Sequence, residues 1–399
     1  MLCMSLPILA LLLPLSALDQ TPLPVFKEHA INPDAGTGLA ITVADLNRDG
    51  KLDIIGVSSD DVAWYENPTW ERHLIADTLR NSNVCVDVMD LDGDGIPELA
   101  LGADWQFNNT ASGGALFLLH HGEDVRRPWN VVTVLEEEPT LHRIRWVDVE
   151  GDGKPELIVA PLKGRDSQPP DFSDKGARLF LLRPQADITQ TPWASEEISA
   201  ALHVTHNIWP VPQDEGKGDA VLAASYEGIT QSVREASGKW ESTVLTPGNP
   251  ESIPRSGAGE IKRNVNGPPM LATIEPWHGN QAVVYTMAED GAWQRHVIDD
   301  QLAGGHAVWW ADFDGDGEDE VLIGWREKAG PRDVPGLNVY DLTVDLATGE
   351  LTATEHVIDD GGMATEDALA ADINGDGWPD IVAYGRATHN VKYYENLGR

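Results

Sequence analysis

The chain has 399 residues, a formal net charge of −37 and two cysteines. Such acidity argues against nucleic acid or an anionic membrane surface as a partner, because both would repel the protein. The acids fall in short periodic clusters and not in blocks, so disorder is not implied, and bound cations are expected to offset the repulsion.

The first element is an apolar run, 6–18, too short to span a bilayer. It predicts a signal peptide at 1–18, export to the periplasm or the extracellular space, and no stable membrane insertion after cleavage. The mature chain, 19–399, would then hold one thiol, Cys85, so no intramolecular disulfide can form. Cys85 lies in an apolar strand and is expected as a small core residue.

From Ala44 onward one unit recurs. Five near copies read ADLNRDGKLDIIG (from Ala44), MDLDGDGIPELALG (Met89), VDVEGDGKPELIVA (Val147), ADFDGDGEDEVLIG (Ala311) and ADINGDGWPDIVAYG (Ala371). Each predicts a strand, an acidic turn and a second strand. Two degenerate copies, from Trp209 and Lys262, keep the frame but lose most of the acids. An apolar third strand follows each pair, as in VAWYEN from Val62 and GALFLLH from Gly114. A fourth follows that, usually opened by Trp, as in WERHLI from Trp70 and WQRHVI from Trp293. Seven four-stranded units at this spacing predict an all-β fold, a seven-bladed β-propeller. The seventh unit ends without its fourth strand. VFKEHAI at 25–31 matches the missing piece, so the N-terminal strand is expected to close the ring and remove two sheet edges.

The turn pattern, D-x-[DNE]-x-D-G-x-x-[DE], predicts calcium. Ca²⁺ takes six to eight hard oxygen ligands, and alternating acids round a tight turn supply them. Glycine lets the backbone make the turn. The expected side-chain ligands are Asp45, Asn47, Asp49 and Asp53; Asp90, Asp92, Asp94 and Glu98; Asp148, Glu150, Asp152 and Glu156; Asp312, Asp314, Asp316 and Glu320; and Asp372, Asn374, Asp376 and Asp380. About five structural Ca²⁺ ions are expected, because so many carboxylates in one turn repel each other unless neutralised. These repeats resemble the FG-GAP/VCBS family. That resemblance implies a calcium-stabilised propeller but no single function, since the family includes integrin α-chain adhesion modules and carbohydrate-active lyases.

Chemistry has to come from what the repeat does not require. Six residues before each turn stand Leu39, Val84, His142, His206, Ala258, His306 and Glu366. Three histidines and a carboxylate thus share one register on four inner strands, at the channel mouth opposite the acidic turns. Loops on that face add Trp105, Tyr226, Trp277, His278, Trp325, Arg326 and Arg386, and Glu260 is expected to point inward too. Aromatics with a few convergent polar groups suit a carbohydrate or small-polyol ligand. Histidine serves as base and acid near neutral pH, which suits proton abstraction next to a carbonyl followed by β-elimination. His142, His206 and His306 are expected as acid–base groups or as ligands of Zn²⁺ or another divalent ion. His278 completes the candidate catalytic set, with Tyr226 as a proton donor and Arg326 as an anion clamp.

TIEPWHGNQ (273–281), VTHNIWP (204–210) and GGHAVWWADFDGDGEDEVLIGWR (304–326) resemble the propeller domain of aldos-2-ulose dehydratases. More distantly the chain resembles ulvan-type polysaccharide lyases. The first resemblance implies loss of water from a keto-sugar such as 1,5-anhydrofructose. No cupin segment follows the seventh blade here, so the isomerase half of that family's activity is expected to be absent. The alternative is a non-catalytic, adhesion-type propeller that binds glycan or protein without making a product.

Overall fold

The second strand of every unit reads as a continuous apolar run, and it is buried at each of its residues. These strands are Asp53–Ser58, Glu98–Ala103, Glu156–Pro161, Ala220–Ser225, Met270–Glu275, Glu320–Trp325 and Asp380–Gly385. An ordinary half-buried strand alternates. Here a neighbouring sheet packs on each face, and alternation is lost. Such burial is what radially stacked blades demand.

The computed structural model describes residues 24–77, 79–80, 82–213, 217–345 and 348–398. The expected signal peptide lies outside the described residues. The described chain forms seven four-stranded antiparallel sheets and one two-stranded ribbon. Blades 1 to 6 are sequential meanders. Their innermost strands are Gly38–Ala44, Cys85–Met89, Leu141–Val147, Asn207–Val211, Lys262–Arg263 and Gly305–Ala311. Blade 7 takes Thr365–Ala371, Asp380–Gly385 and Val391–Asn396 from the C-terminal end and Phe26–Asn32 from the other. The expected closure is therefore present, with Phe26 opposite Asn396 and His29 opposite Tyr393. His29 stacks on Tyr393 at 5.0 Å and bonds Glu395 at 2.7 Å. Deleting 25–32 is expected to expose the edge of Val391–Asn396, lower the melting temperature and drive association on size exclusion. A monomer melting like the intact chain would contradict closure as a source of stability.

The apolar core lies between blades. Ile55, Val57 and Trp64 of blade 1 meet Leu99, Leu101, Phe117 and Trp129 of blade 2. Cys85 is buried among such residues, as expected. The other fourth-strand histidines also stay at the rim: His73 bonds Glu66 at 2.9 Å and His296 bonds Thr286 at 2.9 Å.

One backbone feature sets up the site. In six of the seven blades the residue six before the turn is an extra residue in its strand. The ladder shifts across Leu39, His142, His306 and Glu366 in blades 1, 3, 6 and 7. In blades 2 and 4, Val84 and His206 donate to Gly102 and Ala224, the same residues that pair with Cys85 and Asn207. A β-bulge re-aims side chains, and here it repeats round the ring.

Candidate functional site

The acidic turns are organised by their own carboxylates. Asp45 accepts the Asp49 and Gly50 amides at 3.1 and 2.8 Å, and Asp312 accepts those of Gly315, Asp316 and Gly317 at 2.6, 3.1 and 3.0 Å. Glycine is required where the turn closes: Gly50, Gly95, Gly153, Gly317 and Gly377 all have left-handed φ between 78° and 93°. The last acid of each turn folds inward onto the amide that opens it, as Glu320 does on Phe313 at 2.8 Å and Asp380 on Ile373 at 2.9 Å. Burial pushes these carboxyls up, Asp53, Glu98 and Glu156 to about 7, Glu320 to about 9 and Asp380 to about 6. Oxygens of Asp90, Asp92 and Asp94, and of Asp312, Asp314 and Asp316, gather within 4.8 Å of one another. An all-oxygen set of this kind fits a hard divalent cation. His121, just after the third strand of blade 2, is half-buried and bonds Asp94 at 2.9 Å.

The degenerate turns close differently. In blade 5 the Asp319 carboxylate of blade 6 accepts the amides of Val265 and Asn266 at 2.7 and 2.9 Å and the Asn266 side chain at 2.7 Å. Asp319 is buried, so Asp319→Ala would strand these donors. The variant is expected to lose about 1–3 kcal/mol in urea unfolding; an unchanged midpoint would contradict this role.

On the opposite face a cavity of about 320 Å³ opens at the channel mouth, between Trp105, Phe107, His142, Trp277, His306 and Glu366. The bulges bring the histidines in. Each is then anchored to the next blade by Nδ1. His142 Nδ1 reaches the His206 carbonyl at 3.1 Å, His206 Nδ1 the Gly259 carbonyl at 2.9 Å, and His306 Nδ1 the Glu366 carbonyl at 2.5 Å. A carbonyl only accepts, so each Nδ1 carries the proton and each Nε2 is left as an acceptor; that of His306 has no hydrogen-bond partner among the described residues. His206 Nδ1 also lies 3.0 Å from Glu260 Oε1. Gly259 must be glycine, since a Cβ there would sit 2.9 Å from the Trp277 Cα.

His278 comes from the loop after the second strand of blade 5, with a left-handed φ of 49°. Its Nδ1 accepts from Arg326 Nη2 at 3.1 Å, so its proton sits on Nε2, 2.9 Å from His206 Nε2. A directed chain results: Arg326 to His278, His278 to His206, His206 to Gly259. His306 packs on both rings, at 5.0 and 5.1 Å. Ring nitrogens of His206, His278 and His306 fall within 4.8 Å of one another. Burial, reinforced by nearby guanidiniums, holds His142, His278 and His306 well below the usual imidazole range and lowers His206. All four are neutral at pH 7. Glu366 bridges Arg326 and Arg386, 2.6 Å from each.

The structure therefore regroups the expected residues. His206, His278, His306 and Arg326 come together. His142 stands apart from the triad that could share an ion. Its ring lies on His206 at 4.7 Å and near Trp105 at 5.7 Å, and Arg143 Nη1 sits 3.3 Å from both its nitrogens. Tyr226 stands behind the wall, in an apolar cluster with Leu162, Phe172 and Val204, and burial pushes its hydroxyl up to about 12. Trp325 is also buried, with its Nε1 on the Val334 carbonyl at 2.7 Å. Arg143, Phe107 and Leu162 are mouth residues not anticipated from sequence. Strict alternation points Arg143 away from the channel, and the bulge cancels that alternation. Phe107 lies in a blade-2 loop for which the repeat supplies no template.

Comparison with known proteins agrees with this architecture. A family model described as FG-GAP-like repeat matches residues 45–101, and one described as the β-propeller domain of aldos-2-ulose dehydratase matches 113–288. His142, His206 and His278 lie inside the second match; His306, Arg326 and Glu366 lie beyond it. The chain is 25% identical over 236 residues to aldos-2-ulose dehydratase of Phanerodontia chrysosporium. That match covers 53% of this chain and 26% of the relative, so the chain spans only about a quarter of its length. Solved structures of BBS1N in complex with ARL6DN, soaked with lead and with mercury, superpose with TM-scores of 0.57 and 0.56. They are 12% and 11% identical, and each match covers 94% of this chain and 96% of theirs. That likeness shows the fold alone. The resemblances to FG-GAP repeats and to the dehydratase propeller are both found.

Proposed function

We propose that the channel mouth is the active site of a carbohydrate lyase or dehydratase that acts by β-elimination on a keto-sugar or uronate-type sugar. The observation that carries this reading is the cluster of His206, His278 and His306 beside the Arg326–Glu366–Arg386 bridge. It is supported by the relative's name, a dehydratase of aldos-2-uloses.

Trp105, Phe107 and Trp277 offer apolar faces for a sugar ring. His306 Nε2, free and unprotonated, takes the proton α to the carbonyl. The electron pair moves onto the carbonyl oxygen, where the guanidiniums of Arg143 and Arg326 stabilise the enolate. As the enolate collapses, a carbon–carbon double bond forms and the β carbon–oxygen bond breaks. The imidazolium of His306 returns its proton to the departing oxygen. For a free hydroxyl the leaving group is water. A low imidazole pKa suits the second half-step, because it makes the imidazolium a strong acid. His206 and His278 fix the geometry of His306 by packing on two sides.

A divalent ion would be held by His206, His278 and His306 and would supply Lewis-acid polarisation of the carbonyl; it would take the His306 Nε2 lone pair, so it is an alternative to His306 as the base and not an addition to it. His306 presents a free Nε2 atom as such an ion needs, and His206 Nε2, which accepts from His278, would be freed once His278 turned to the ion. His278 would join after releasing its bond from Arg326.

Calcium in the five acidic turns would be structural, because it would hold buried carboxylates such as Glu320 in the charged form that burial opposes. We place the protein outside the cytoplasm, where calcium is abundant. The test is incubation with an aldos-2-ulose, 1,5-anhydrofructose and uronate polymers, followed in the ultraviolet. An absorbing unsaturated product supports the proposal. Saturable glycan binding without product would replace it with the adhesion-type reading.

A further inference from the structure

Below the mouth the inner strands enclose a second chamber on the axis, of about 280 Å³. It shares Leu39, Val84, Arg143 and His306 with the mouth, and its deeper wall includes Trp209 and Trp309. Its acids are occupied. Asp367 accepts the Ile41 and Ala368 amides, both at 3.0 Å, and Asp87 accepts the Trp146 amide at 2.8 Å. Glu260 is held by His206, Asn207 and Arg143.

Two cations are not so matched. Among the described residues no carboxylate oxygen comes within 4.0 Å of Lys262 Nζ or the Arg145 guanidinium. Lys262 is only 6% exposed, yet no described residue hydrogen-bonds its amine. Nζ lies 3.6 Å from the Trp209 ring centre and 5.1 Å from that of Trp309. Arg145 gives Nη1 to the Ile144 carbonyl at 2.8 Å and sits 5.7 Å from the same Trp209 ring. Burial first, and Arg145 next, push the Lys262 amine down to about 7, against the opposite pull of the Glu260 and Asp367 carboxyls in the same chamber. Two like charges thus share one indole inside a chain whose net charge is −37.

We propose that this chamber is an anion site, in which Lys262 and Arg145 hold a small oxyanion, a carboxylate or a sulfate-like group, beside Trp209. Lysine supplies three donors on a point charge, and arginine supplies a planar fork of parallel donors. A bound anion would restore the full charge of Lys262 and relieve its repulsion with Arg145. A neutral ligand would do neither. The inference does not depend on the reaction proposed at the mouth.

The test is calorimetric titration of the calcium-loaded full chain with sodium sulfate and with D-glucuronate, with D-glucose as the uncharged control. One anion per chain is expected, bound about tenfold or more weakly by Lys262→Met and by Arg145→Met. Binding of sulfate, of glucuronate or of both that Lys262→Met and Arg145→Met weaken supports the site and identifies the anion class it prefers; binding that they leave unchanged belongs to the mouth and overturns it. No binding of either anion would overturn it, as would unchanged affinity in variants that melt like the wild type. Should the variants misfold, a selenate-soaked crystal of the wild type decides. Selenium density between Lys262 and Arg145 supports the site, and an empty chamber overturns it.

Discussion

Chelation with EDTA is expected to lower the melting temperature by roughly 10 °C or more, if five sites each contribute the stabilisation of a ligand well above its dissociation constant. The cause is local and repeated five times. Each complete turn places three or four acids within a few residues and folds its last carboxylate into the blade. Without a cation, Asp53, Glu98, Glu156, Glu320 and Asp380 face burial and their neighbours' charges together. Ca²⁺ should restore the melting temperature. Mg²⁺ should restore little, because it demands a rigid octahedron. Blades 4 and 5 should respond only through their neighbours, since Asp219 accepts the Asp148 amide of blade 3 and Asp319 of blade 6 accepts from Asn266. No shift on chelation would remove calcium from the account.

His306→Ala and His206→Ala are expected to fold and to lose about 10²–10⁴-fold in elimination rate, the usual contribution of a positioned acid–base group. The two should differ in kind. His306 has the free Nε2 that would meet substrate, so its loss should fall on kcat. His206 acts through its contacts with His278 and His306, and His206→Gln should recover part of the activity by keeping a polar side chain there. His142→Ala should cost much less, under about tenfold, because His142 lies outside the triad. Equal rates in wild type and His306→Ala would remove the site from the mouth.

The ring could be derived from the chain because its information is repeated. Seven copies of one register, and a strand at 25–31 matching the missing fourth strand of the last unit, leave little freedom. The −6 register was legible for the same reason: one fixed spacing from the turns marks His142, His206, His306 and Glu366 together. What alternation could not show is that a bulge turns two consecutive residues inward. Arg143 was missed for that reason. Loops between second and third strands carry no repeat. Sequence marked 273–281 as unusual, and only the chain's path places His278 beside His206 while His142 stands aside. Tyr226 went the other way. The segment 163–175 stands out in the sequence as an interaction loop or a lid, but its pattern does not show that Phe172 packs against Tyr226.

The most direct measurement is proton NMR of a keto-sugar in D₂O with the calcium-loaded protein. The account predicts loss of the α-proton signal and growth of a vinyl signal, both abolished by His306→Ala. A sugar that broadens on binding but keeps its α-proton and forms no vinyl product would contradict it.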